Sequence, residues 1–159
     1  MRSFLVINKK PIIKWSQLPD NTFFEGKIPE GYSLGISPSK GYIIIDVDKH
    51  NGKNGFKKIP NHLVEELEFT LNYPTKNKGR HYWFKYTGNK DLMNKSSKLG
   101  IDLRTEKGYV VWYLDEDIRS WEYQIQETSK ELNEWLEEHF TFRQPKLLKN
   151  EKSKIKNQL

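Results

Sequence analysis

The sequence predicts a single mixed α/β (α+β) domain, in which a strand-rich middle is accompanied by two amphipathic helices. Residues 42–48 form a run of β-branched apolar residues that ends in two aspartates, and residues 81–86 are rich in aromatic side chains; both patterns favour strands. Residues 61–69 and 128–140 repeat apolar residues at helical spacing. At 159 residues the chain is long enough for one domain with a real core and too short for two of ordinary size.

The strands are predicted from short runs of apolar, β-branched or aromatic residues. These runs are residues 4–7, 42–48, 81–86, 101–104 and 109–113. Lys107-Gly108 joins the last two. Residues 10–15 are predicted to be extended, because the residue before a proline avoids the helical conformation. Residues 31–38 are predicted to be a loop.

Capping residues support both helices. Asn61 is a good N-cap for the first helix, whose Leu63 and Leu67 share one face. Thr-Ser-Lys-Glu at residues 128–131 offers a capping box to the second helix. Its apolar stripe consists of Leu132, Trp135, Leu136 and Phe140. The folded domain is therefore predicted to span residues 1–142, and residues 143–159, with six basic residues and one glutamate, to form a basic tail or linker.

Composition narrows the classes of partner. Lys and Arg outnumber Asp and Glu by 27 to 21, and the net charge of +6 suits a partner that carries phosphates. Without cysteine the chain has no disulfide, no zinc-thiolate site and no cysteine nucleophile. The N-terminal segment has only four consecutive apolar residues before two lysines, too few for a signal peptide or a membrane span. We therefore expect a cytoplasmic protein without a membrane partner.

Asp46 and Asp48 are the first candidate site residues. Side chains alternate along a strand, so these two carboxylates are predicted to share one face, opposite Ile45 and Val47. Neighbouring negative charges repel unless a cation lies between them, and oxygen ligands at a strand end suit Mg²⁺ or Mn²⁺. The pair could instead cap the turn that follows the strand, and the spacing alone leaves both interpretations open.

A basic turn precedes the aromatic strand. Gly79 would let the backbone approach a ligand closely, and Lys78, Arg80 and His81 could clamp phosphate oxygens beside it. Alternation puts His81 on the face opposite Tyr82, so that it can face a site. The alternative is a solvated basic turn in front of a core strand.

Asp102 and Arg104 form the third candidate motif. They share one face of their strand, opposite Ile101 and Leu103. A third carboxylate beside the first two would complete the oxygen-ligand set that phosphoryl-transfer metals use. The alternative for this pair is a surface ion pair on an amphipathic strand.

Taken in order, these motifs resemble the primase-polymerase branch of the archaeo-eukaryotic primase superfamily, found at the front of many phage and plasmid replication proteins. The motifs are Ile45-Asp46-Val47-Asp48, Gly79-Arg80-His81 before the aromatic strand, and Gly100-Ile101-Asp102-Leu103-Arg104 followed by Gly108-Tyr109-Val110-Val111. Residues 10–15 and Leu34-Gly35-Ile36 are similar to the opening of that family. The similarity spans roughly residues 5–140.

The resemblance implies a fold and an activity. The fold is an archaeo-eukaryotic primase-type domain with an RRM-like mixed or antiparallel sheet flanked by helices. The activity is that of a DNA primase or DNA polymerase, a nucleotidyltransferase that acts in DNA replication on nucleoside triphosphates and a single-stranded DNA template. Because the sequence contains no P-loop motif, any helicase partner is expected to be separate or a part removed from this chain.

The resemblance also implies roles for individual residues. Asp46, Asp48 and Asp102 correspond to the metal carboxylates of a two-metal site for Mg²⁺ or Mn²⁺, and His81 to the nucleotide-binding histidine; together they form the predicted catalytic set. Arg80 and Arg104 become triphosphate contacts.

Lys78 stands where the family often has a small residue. Its added cation is compatible with a triphosphate, so it is included among the predicted nucleotide contacts.

Two other functions remain open from the sequence. One is a nucleic-acid-binding module of the same fold without catalysis, although a pure binder gains nothing from clustered negative charge near phosphates. The other is a metal-dependent nuclease, which also uses Asp-x-Asp but leaves His81 and the arginines without a triphosphate role.

Overall fold

The computed structural model describes residues 1–141, so the predicted tail at residues 143–159 lies outside the described residues. Two α-helices, ten strands and several short 3-10 helices make up the described part. The strands are Arg2–Ile7 (β1), Lys10–Pro11 (β2), Ser33–Ser37 (β3), Tyr42–Val47 (β4), Asn72–Pro74 (β5), Arg80–Lys85 (β6), Lys95–Ser96 (β7), Ile101–Arg104 (β8), Val110–Trp112 (β9) and Gln126–Glu127 (β10). The helices are Asn61–Phe69 (α1) and Lys130–Phe140 (α2).

A six-stranded sheet forms the centre of the domain. Its order is β10-β6-β4-β8-β7, with β5 beside the first half of β6. The β10–β6 pair is parallel, and the other pairs are antiparallel. β4 lies in the middle because its apolar run is covered on both faces: Ile43 and Ile45 pack on one side and Ile44 on the other, each at most 3% exposed.

Both helices cover the same face of this sheet. Leu63 and Leu67 of α1 pack with Leu132, Leu136 and Phe140 of α2 against β4, β6 and β8. The apolar stripes predicted for the two helices are therefore confirmed. Neither helix is long and apolar enough to cross a membrane.

The helix starts differ by one residue from the prediction. Pro60, and not Asn61, occupies the N-cap position of α1. Ser129, and not Thr128, caps α2, because its Oγ accepts a hydrogen bond from the Leu132 N–H. The Ser129 N–H and hydroxyl donate in turn to the two carboxylate oxygens of Glu66, which ties the start of α2 to α1.

A second sheet, of four strands in the order β2-β1-β3-β9, covers the opposite face of the central sheet. Its Ile36, Val110 and Trp112 pack against Ile44 and Trp83. The described chain thus has three layers: the helices, the central sheet and the smaller sheet. The predicted α+β class is confirmed, whereas the sequence did not indicate the division into two sheets.

The prediction of a loop at residues 31–38 is wrong. Residues 33–37 form β3, which pairs with both β1 and β9. Gly35 lies inside this strand. A Cβ at this position would lie 2.7 Å from the ring of Phe4, so neighbouring side chains use the space that a side chain would need.

β8 and β9 are close in sequence but belong to different sheets. β8 pairs with β4 and β7, whereas β9 pairs with β3. The connection through Lys107-Gly108 therefore passes from one layer to another. A cavity at this connection is lined by residues of both sheets.

Candidate active site

The floor of the site is built by three neighbouring strands of the central sheet. Asp46 of β4 lies directly opposite His81 of β6 on one side and Asp102 of β8 on the other. Arg104 lies opposite Ile44, two pairs further along β8 and therefore on the same face as Asp102. Because directly opposed residues project to the same face, the register brings these side chains together. They line a cavity of about 510 Å³ that Asp48 also lines.

Asp48 follows the end of β4. Its N–H donates to the Gly100 carbonyl and its own carbonyl accepts from the Gly55 N–H, so the backbone is held on both sides. Burial raises the pKa of the Asp48 carboxyl, and the negative charges of Asp46 and Asp102 raise it further. The three predicted carboxylates are therefore close enough to interact electrostatically.

The Asp102 carboxylate has a closer basic partner than the Asp48 carboxylate has. Its Oδ2 lies 3.1 Å from an Arg104 guanidinium nitrogen, and the polar groups of Ser96 and Ser97 also lower the pKa of its carboxyl. Burial nevertheless raises the pKa of the Asp102 carboxyl, in opposition to Arg104 and with a contribution from Asp46. Arg104 thus pairs with a carboxylate and lines the cavity at the same time.

His81 is held from below and faces the cavity. Only 4% of the residue is exposed. Its Nε2 lies 3.4 Å from Oδ1 of Asp46, and its Nδ1 lies 3.2 Å from the hydroxyl of Tyr73. The ring can therefore interact with a ligand in the cavity through Nε2 alone.

Lys78 and Arg80 do not line the cavity. Arg80 shares the face of Tyr82, opposite that of His81, and its Nε donates to the Asn72 side-chain oxygen at 2.7 Å. Lys78 is an exposed turn residue with a φ of 65°. The nucleotide contacts predicted for these two side chains thus have no support from their placement, because strand alternation turns Arg80 to the other side of the sheet.

Gly79 has a packing role that the sequence did not predict. A Cβ at this position would lie 2.3 Å from the backbone oxygen of Val47. The glycine therefore permits close approach of the turn to β4.

Two lysines that the sequence reasoning missed complete the rim of the cavity. Lys9 lies in the two-residue turn between β1 and β2, where Asn8 and Lys9 both have positive φ, and its carbonyl accepts a hydrogen bond from the Tyr109 hydroxyl. Lys107 lies in the connection between β8 and β9. Both line the same cavity as the carboxylates. The only available signal was the basic character of these two turns.

Tyr113 is a further lining residue that was predicted only as part of a strand. Its ring centroid lies 6.0 Å from that of His81. Burial raises the pKa of its hydroxyl, and the charge of Asp46 raises it further. Tyr113 therefore remains a neutral hydrogen-bonding group at the edge of the acidic floor.

The donor set fits a hard divalent cation in its chemistry. Three carboxylates face one cavity, and the pKa values of Asp48 and Asp102 are raised, first by burial and then by the negative charge of the neighbouring carboxylates. Within residues 1–141, no three acidic, histidine or cysteine side chains already surround a single metal position. In this arrangement Asp102 is instead turned toward Arg104.

Together, the fold and the site define an α+β domain whose cavity has an acidic floor and a basic rim. Residues 7–135 match the family model described as bifunctional DNA primase/polymerase, N-terminal (Prim-Pol), and the chain therefore belongs to this family. The resemblance inferred from the motifs is thus confirmed. At the level of the family, membership indicates a primase/polymerase-type nucleotidyltransferase of DNA replication. Comparison with curated proteins gives no match.

Proposed function

We propose that this domain is a template-dependent nucleotidyltransferase that synthesises primers, extends DNA, or does both, by two-metal-ion catalysis on nucleoside triphosphates. One observation carries the proposal. Asp46 is flanked in register by Asp102 and His81, at the floor of a cavity whose rim carries lysines. Family membership supports the same class of reaction.

Asp46, Asp48 and Asp102 are the proposed ligands of Mg²⁺ or Mn²⁺. When bound, the ions lower the pKa of the attacking 3′-hydroxyl and stabilise charge on the leaving pyrophosphate. The protein supplies carboxylates that are already close together, so that their mutual repulsion is relieved when cations bind. Asp102, which is paired with Arg104, would hold a metal with its carboxylate, and Arg104 would remain beside it to contact the substrate.

His81, Arg104, Lys9 and Lys107 are the proposed contacts of the incoming triphosphate. His81 is buried in the floor and faces the cavity, so it suits a defined hydrogen bond to one phosphate oxygen. Lys9 and Lys107 are on turns at the rim and act as point charges that attract the phosphates. Single-stranded DNA is the proposed template, and its phosphates are attracted by the excess of basic residues.

The test is a primer-extension and primer-synthesis assay on single-stranded DNA, with labelled ribo- and deoxynucleotides in parallel and Mn²⁺ or Mg²⁺ added. We expect metal-dependent product from the wild type and a loss of more than about 100-fold in Asp46→Asn and in Asp102→Asn, since even indirect supports of metal ligands are worth ~10–100-fold. Asp91→Asn is the matched control, because Asp91 is exposed and outside the cavity lining.

The other outcomes distinguish the remaining functions. Metal-dependent shortening of the template without new product would show a nuclease. Template binding by fluorescence anisotropy, with neither product nor shortening under any metal or nucleotide, would show a binding module. Either result would refute the proposed nucleotidyl transfer.

A further inference from the structure

Beneath the cavity, three aromatic residues form a buried hydrogen-bonded chain. Tyr73 of β5 lies directly opposite His81 of β6, and Trp83 lies two residues further along β6 on the same face. The Trp83 Nε1–H donates to the Tyr73 hydroxyl at 2.8 Å, and the same hydroxyl lies 3.2 Å from Nδ1 of His81. Tyr73 and Trp83 are 1% and 0% exposed, so water does not compete for these bonds.

The direction of each hydrogen bond follows from counting protons. An indole nitrogen can only donate, so Trp83 uses a lone pair of the Tyr73 oxygen. The hydroxyl has one proton of its own, and burial raises the pKa of Tyr73, so the proton is retained. Among the described contacts, the acceptor within reach of this proton is Nδ1 of His81. Nδ1 must then be unprotonated, and the neutral ring carries its proton on Nε2.

A different arrangement would leave a buried group without a partner. If Nδ1 carried the proton, it would be a second donor toward the Tyr73 oxygen, and the hydroxyl proton would have no acceptor within the described contacts. The Nε2–H, by contrast, points toward Asp46 and the cavity.

We propose that Tyr73 is a positioning residue that fixes His81 as its Nε2–H tautomer, so that His81 presents a hydrogen-bond donor to an anionic phosphate oxygen in the cavity. The tautomer follows from the buried contacts alone, whereas the ligand rests on the proposed function. Without the Tyr73 hydroxyl, the contact of Nε2 with Asp46 is the remaining described interaction that opposes a shift of the proton to Nδ1, and after that shift a lone pair would face the cavity. A lone pair repels a phosphate oxygen.

The first test requires no variant. Long-range ¹H–¹⁵N correlation spectra of the wild type, recorded above the ordinary histidine pKa of about 6.5, should show a protonated Nε2 and an unprotonated Nδ1 for His81. The His81 signals are assigned by their loss in His81→Gln. A protonated Nδ1 in the neutral wild-type ring would overturn the proposal.

The second test uses Tyr73→Phe, with Tyr82→Phe as the matched loss of a hydroxyl. Tyr82 neighbours His81 on β6 but packs on the helix side of the sheet. Tyr73→Phe should populate the Nδ1–H tautomer and weaken binding of dATP, measured by calorimetry with Mn²⁺, by about tenfold, the loss of one hydrogen bond to a charged group. Tyr82→Phe should change neither.

The outcomes separate the two proposals. An unchanged tautomer in folded Tyr73→Phe would overturn the positioning role. A changed tautomer with unchanged dATP affinity would uphold the positioning role and overturn the assignment of His81 to the nucleotide. If Tyr73→Phe does not fold, the wild-type spectrum still decides whether His81 carries its proton on Nε2.

Discussion

Replacing Asp48 by asparagine should stabilise the metal-free protein at neutral pH while impairing its function. The carboxyl is partly buried, and Asp46 and Asp102 add their negative charges. His50 Nε2, at 3.9 Å from Oδ1 of Asp48, is too distant for a hydrogen bond and offers little compensation. Asparagine keeps the shape of the side chain and removes its charge.

The expected gain in the free energy of unfolding follows from the distance between Asp46 and Asp48. Residues two apart on a strand are about 6.6 Å apart. Two unit charges at that distance repel by about 0.6 kcal/mol in bulk water and by about 2.5 kcal/mol at an effective dielectric constant of ~20. Because the Asp48 side chain is 29% exposed, we expect the smaller part of this range. The expected gain is about 1 kcal/mol, or roughly 3–4 °C in Tm for a domain of this size.

The pH dependence has a definite sign. The pKa of Asp48 is raised in the folded state, so the folded protein binds this proton more tightly than the unfolded chain does. The destabilisation is therefore complete above the folded-state pKa and disappears as the pH falls through it. Thermal unfolding in EDTA should show a higher Tm for Asp48→Asn at about pH 7.5, and a difference that shrinks toward about pH 4.

Addition of Mn²⁺ supplies the second half of the test. The Tm of the wild type should rise with metal, and that of Asp48→Asn should rise less, because one ligand is missing. Asp91→Asn should behave like the wild type throughout. A Tm of Asp48→Asn in EDTA at neutral pH that equals or falls below the wild-type value would refute the reasoning, because the carboxylate would then not be repelled in the folded state.

Three further predictions address the rim, the turn and the second helix. Lys107→Ala should raise the KM for dNTP in primer extension by up to about fivefold, whereas the equally exposed Lys78→Ala should not; equal effects would contradict the placement of these lysines. Gly79→Ala should lower the free energy of unfolding by about 2 kcal/mol in urea, because its Cβ meets the Val47 carbonyl; normal stability with lost activity would instead indicate a ligand contact. Ser129→Ala should cost about 1 kcal/mol in the same measurement, and an unchanged value would show that its hydroxyl does not stabilise α2.

Local sequence patterns were sufficient to predict the main strands and both helices of the described chain. The apolar run at residues 42–48, the aromatic run at 81–86 and the two amphipathic stripes each became the predicted strand or helix. Alternation of side chains along each strand also allowed Asp46, Asp102 and His81 to face a common site. Arg80 precedes His81 on the same strand, so alternation turns its side chain to the face away from the cavity. The sequence therefore already argued against a nucleotide contact by Arg80.

Turn residues were interpreted less well, because glycine has several uses. Gly35 lies within a strand, and Gly79 allows one part of the backbone to approach another. Neither use can be distinguished from a loop or a ligand site without knowing what lies opposite the glycine.

The sequence by itself determined the α+β class, the main strands and helices, and the family, since these depend on residue type and spacing along the chain. Only the tertiary structure decided which strands are neighbours. It placed Asp46 between Asp102 and His81, brought Lys9 and Lys107 to one cavity, and set Tyr73 beneath His81. The physical reason is that strand pairing is selected by the burial of both faces of the central sheet, a property of the whole domain that no local pattern contains.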